Sequence, residues 1–126
     1  MKTEYIDVDG YWGIVVLYDY DERDNEELLE IMQSFGMDLR NAYKSLHILS
    51  SPNTGMAISN STLRMSAMFI SETTSTSEFL NSIVHETAHI ASSIVEYYGK
   101  PCAGEDFAYL SGYLFQRIVE EIYDIR

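Results

Sequence analysis

The chain is poor in cysteine, in cations and in long apolar runs, and each shortage excludes a class of protein. One cysteine in 126 residues, Cys102, leaves no partner for an intrachain disulfide. A disulfide-stapled scaffold is therefore excluded and a reducing compartment fits; Cys102 reads either as a reactive thiol or as an incidental loop residue. Eight lysines and arginines stand against twenty aspartates and glutamates, a formal charge of −12. That balance argues against a basic surface for nucleic acid or an anionic membrane, and favours solubility and a basic partner. No apolar run approaches the roughly 20 residues needed to span a bilayer. Met1-Lys2-Thr3-Glu4-Tyr5 has no cationic stretch leading into an apolar one, so no secretory signal is expected. A cytoplasmic protein with no nucleic-acid and no membrane partner is the expectation.

What is present suits a single domain, residues 1–126, by length. Apolar residues make up 46% of the chain, and ten Tyr, five Phe and one Trp supply the bulk of a core. Tyr11 to Tyr20 is rich in β-branched and aromatic residues and reads as a strand. Asp19 to Asn25 is a polar turn, and Asp24 or Asn25 caps a helix that runs to about Phe35, with Gly36 as its stop. Leu46-His47-Ile48-Leu49 is a short apolar run that suggests another strand. Gly55 to Ser59 and Leu63 to Ser71 read as a hairpin turned at Asn60-Ser61-Thr62. Ser75 with Glu78 fits a capping box for a helix from about Thr76 to Tyr98, which Gly99 and Pro101 end. A last helix spans about Glu105 to Ile122, with Glu105 and Asp106 suiting its N-terminus.

The chain has three histidines, and two of them fall in His85-Glu86-Thr87-Ala88-His89. Residues four apart on a helix share a face, so both imidazoles can reach one metal ion while Glu86 sits beside the open coordination positions. This is the HExxH pattern of zinc hydrolases. At about 100° per residue, Leu80, Ile83, Thr87, Ile90, Ala91, Ile94 and Tyr98 form one face of the helix. Ser82, His85, His89, Ser92 and Glu96 fall nearly opposite, so the histidines are expected to line a polar groove outside the core.

Catalytic zinc usually takes three protein ligands and a water. His47 is one candidate for the third but lies in an apolar run. Glu96 shares the histidine face but is seven residues beyond His89, roughly 10 Å along the axis, too far for the same ion. Glu105 is the better choice, with Asp106 as the fallback. An extended Gly99 to Gly104 loop spans up to about 20 Å and can return Glu105 to the level of His89, whereas a compact loop leaves Glu105 as a helix-terminal residue only.

A family resemblance follows from these residues. His-Glu-x-x-His with a glutamate on the next helix resembles the gluzincin group of zinc peptidases. Ile83-Val84-His85-Glu86, together with Gly104-Glu105-Asp106-Phe107-Ala108-Tyr109-Leu110-Ser111-Gly112-Tyr113, resembles small zincin-like proteins of phages, prophages and other bacterial mobile elements, over roughly residues 55 to 122. The resemblance implies a minimal zincin-like α+β fold, a small mixed β-sheet packed on the HExxH helix with a C-terminal helix after it. It implies Zn²⁺ held by His85, His89 and Glu105, with Glu86 as general base. The peptide or protein substrate would lie along the strand beside the metal helix, and the Gly55 to Ser71 hairpin is in the right place. Tyr109, one turn beyond Glu105, is the candidate oxyanion donor; Tyr113 is one turn further, and core packing is the alternative for both. The competing reading is a non-catalytic acidic interaction protein of a mobile element, with a structural metal or none.

Overall fold

The computed structural model describes residues 1–125. Two strands open the chain, β1 (Lys2–Val8) and β2 (Trp12–Tyr18). They are joined at Asp9 and Gly10, whose φ angles are 52° and 80°, and Tyr11 N–H donates to the Val8 carbonyl at 3.1 Å. Two successive left-handed residues make the kind of turn whose twist matches the flanking strands, and glycine adopts it without a Cβ clash. After a single 3-10 turn at Glu22–Asp24 come α1 (Asn25–Ser34) and α2 (Leu39–Leu49). The hairpin of β3 (Gly55–Asn60) and β4 (Met65–Ile70) leads to α3 (Thr76–Tyr97) and α4 (Glu105–Tyr123).

The strands lie in the order β1-β2-β4-β3. The outer pairs are antiparallel and β2 runs parallel to β4, with Leu17 opposite Phe69. The two central strands are covered on both faces. Ile14, Val16, Met68 and Ile70 face α3 and α4, while Leu17, Ala67 and Phe69 face α1 and α2. Strands buried on both faces read as near-continuous apolar runs, which is why Trp12–Tyr18 stands out in the sequence. The α+β class and the small mixed sheet are as expected.

Two elements differ from the sequence reading. Leu46 to Leu49 is the last turn of α2 and not a strand. The helix starts at Asp38, whose carboxylate accepts from Asn41 N–H at 2.8 Å, and it buries Ala42 and Leu49 at helical spacing. The apolar run is one stripe of that helix met end-on. The N-terminal strand β1 was not anticipated. Only Ile6 and Val8 of its residues are buried, because it is an edge strand with one face in solvent.

Helix α3 fixes the site. Ser75 Oγ accepts from Glu78 N–H at 3.1 Å and starts the helix. At the other end Gly99 has φ +73°, its N–H donates to Glu96 O at 3.0 Å, and Lys100 N–H donates to Val95 O at 2.8 Å. These two bonds close the helix in a Schellman motif. Ile83, Ile90 and Ile94 are buried against the sheet, each burial contributing about 1.5–3 kcal/mol. Helix α4 buries Leu114 and Ile118 in the same layer. Its Arg117 ties it to β1, donating to Asp7 O at 3.0 Å and to Tyr113 Oη at 2.9 Å, while Tyr113 Oη donates to Asp9 Oδ1 at 3.1 Å.

Candidate metal centre

Packing α3 by its isoleucine face leaves His85 and His89 exposed beside the sheet edge, as the helical spacing predicts. Their ring centroids are 5.0 Å apart. Glu86 is one residue round the helix and is 5% exposed. Its Oε2 lies 4.0 Å from His85 Nε2. Taking one donor atom from each, His85, Glu86 and His89 gather within 4.8 Å of one another, the only such group of three among the described residues.

The carboxylate of Glu86 has no hydrogen-bond donor among the described residues, and its oxygens keep access to solvent although the residue as a whole is buried. Burial pushes its pKa above the usual carboxylate range, and the two histidines oppose that rise. The carboxylate faces an open cavity of about 420 Å³ whose floor is Gly55, Met56 and Ala57 and whose wall is α3 from His85 to Ser93.

Gly55 is a site residue that the sequence reading treated only as a strand start. A Cβ on it would lie 3.0 Å from Glu86 Oε2, 3.1 Å from Cγ and 3.3 Å from Cδ. The strand passes so close to Glu86 that only glycine leaves the carboxylate its place. Glycine within a strand is the signal for such an approach.

The remaining expected site residues lie elsewhere. Glu105 is exposed at the first position of α4 and is not a member of the cluster. The loop before it turns back along α3 as far as Ser92. Cys102 Sγ donates to Ser92 O at 3.8 Å, and Asp106 and Leu110 line a cavity of about 390 Å³ with Ile94, Val95 and Tyr98. The first turns of α4 thus lie beside the last turns of α3, beyond the histidines. Asp106 pairs with Lys100 at 3.4 Å. Tyr109 is 76% exposed and does not line the histidine cavity. Tyr113 is engaged by Arg117 and Asp9. His47 lies on α2, across the sheet, and Glu96 is one to two turns past His89 on α3.

No protein-family model, no curated protein and no solved structure matches the chain. Among the described residues no helix is long and apolar enough to cross a membrane.

Proposed function

We propose that the chain is a zinc-dependent peptidase of the gluzincin type that hydrolyses peptide bonds at His85, Glu86 and His89. The observation that carries this reading is the gathering of two imidazoles and the Glu86 carboxylate within 4.8 Å of one another at a sheet edge. The donor chemistry fits zinc, which takes imidazole and carboxylate ligands. His85 and His89 would hold the ion, with Glu105 as the third ligand that the resemblance implies. Bound zinc supplies a Lewis acid and an acidified water.

The protein's own groups do the rest. Glu86 accepts the proton of the attacking water and returns it to the leaving amine. The outer edge of β3 pairs with no strand among the described residues, so a peptide can add to it as a further strand and be held by main-chain hydrogen bonds. The small side chains of Gly55 and Ala57 leave room for that peptide above Glu86. The exposed thiol of Cys102 supports a reducing, cytoplasmic location.

The test is a peptide library digested by zinc-loaded wild type and by zinc-loaded Glu86→Gln, where only the wild type should cleave. One observation favours a second reading, an acidic interaction protein of a mobile element: the cluster holds two imidazoles but not Glu105. That reading expects no cleavage by either protein.

A further inference from the structure

The cavity at the histidines does not end there. Ser93 lines it and also lines a second pocket of about 310 Å³, with Trp12, Ser59, Ser61, Glu96 and Tyr97. The two cavities adjoin at Ser93, along the side of α3 that faces β3. Alternate residues of a strand face the same side, so Gly55, Ala57 and Ser59 make a continuous floor of small side chains beneath them.

We propose that this second pocket takes a lysine or arginine side chain of the bound peptide, about four residues from the scissile bond. The inference rests on reading the two cavities as a peptide site. Its register follows from the strand beneath, where Gly55 stands against Glu86 and Ser59 lines the second pocket, and an extended peptide beside it advances at the same rate of about 3.3 Å per residue.

The chemistry comes from three observations. Glu96 is exposed in the second pocket, and its carboxylate has no ion-pair or hydrogen-bond partner among the described residues. The ring of Tyr97 already meets a guanidinium, that of Arg64, 5.9 Å from its centroid, so its face suits a cation. Trp12 stands against Tyr97 with ring centroids 5.6 Å apart and is fixed from behind. Its Nε1 donates to Ser66 Oγ at 3.0 Å, and Ser66 shares a 2.6 Å hydrogen bond with Ser59. The pocket thus combines a free carboxylate with a held aromatic wall. The formal charge of −12 draws cationic peptides toward it. Arg64 is the one group beside Tyr97 that would select the opposite charge.

Trp12 is the only tryptophan, so binding in this pocket can be read from intrinsic fluorescence without any cleavage. The probes are blocked alanine heptapeptides carrying lysine, arginine, norleucine or glutamate at each position in turn. They are titrated at low salt into zinc-free and zinc-loaded wild type and Glu96→Gln. At one position, lysine and arginine peptides should bind about 1.5- to 5-fold tighter than norleucine, the effect of one exposed ion pair. Glu96→Gln should erase that preference while keeping the norleucine affinity. Equal binding of lysine and norleucine, a preference for glutamate, or a lysine preference that survives in Glu96→Gln overturns the proposal. Cleavage without a basic preference removes the pocket and leaves the peptidase reading standing. Binding that depends on Glu96 with no cleavage does the reverse.

Discussion

Replacing Gly55 by alanine tests how the Glu86 carboxylate is held. The substitution introduces no backbone strain, since Gly55 is not among the residues with positive φ. Its whole effect comes from one methyl group placed 3.0 Å from Glu86 Oε2, 3.1 Å from Cγ and 3.3 Å from Cδ, where ordinary contact begins at 3.4 Å. Two of these atoms lie within the side chain and not at its tip, so turning the carboxylate alone does not relieve the contact. Either β3 or Glu86 must shift by several tenths of an ångström. Overfilling a packed site of this kind costs about 1–3 kcal/mol. For a chain of this length that lowers Tm by about 4–12 °C. Because a displacement of about 1 Å in a catalytic group can cost 100-fold in rate, activity should fall further than stability. The assays are calorimetry, zinc content after dialysis, and peptide hydrolysis. The histidines are untouched, so zinc content should stay near the wild-type value. A Gly55→Ala protein with wild-type Tm and wild-type hydrolysis would refute the claim that β3 presses on Glu86.

Other expectations concern the metal and the charge state of the site. His85→Ala should reduce zinc from about one ion per chain to background, because the two remaining ligands, His89 and Glu105, do not hold it alone; full occupancy by elemental analysis would contradict this. Glu105→Ala should weaken zinc affinity, and a zinc-bound crystal structure should show a Glu105 carboxylate oxygen about 2.0–2.2 Å from the ion. A loaded site with Glu105 out of contact rejects that residue as ligand. In the zinc-free protein, burial raises the Glu86 pKa, so the folded state holds the proton more tightly than the unfolded chain. The resulting stabilisation is complete below the ordinary carboxyl range near about pH 4 and is lost as pH rises through the raised value. Relative to Glu86→Gln, wild type should therefore lose Tm between acid and neutral pH, and a difference that stays constant with pH counts against a raised pKa.

The helical layer was legible from the chain because its signals are local. Ser75 and Gly99 mark both ends of α3, and the isoleucine stripe separates from the histidines at helical period. The hairpin of β3 and β4 was legible for the same reason. β1 was not, since an edge strand buries only Ile6 and Val8 and leaves a weak alternation. The Asp9-Gly10 turn was its clearest signal. α2 is harder to read, because four apolar residues in a row look alike in a strand and in a helix stripe; its one local signal is Asp38, which caps it. At the site, the three residues adjacent in sequence came together, while the partners that depend on loop shape did not. The length of the Gly99 to Gly104 segment permitted an extended return of Glu105. The path of that segment, in which Cys102 meets Ser92, depends on packing that no local pattern reports. The role of Gly55 is hidden for the same reason, since it depends on the approach of two residues, Gly55 and Glu86, that lie on different elements.

The central claim is that Glu86 moves protons in a zinc-dependent hydrolysis. The most direct measurement is cleavage of a broad peptide library by wild type and Glu86→Gln, each verified by elemental analysis to carry zinc. Wild type should cleave. Glu86→Gln, with its metal retained, should be slower by about 100-fold or more, the usual contribution of a positioned general base. Equal rates for the two proteins, or no cleavage of any peptide by the zinc-loaded wild type, would contradict the claim.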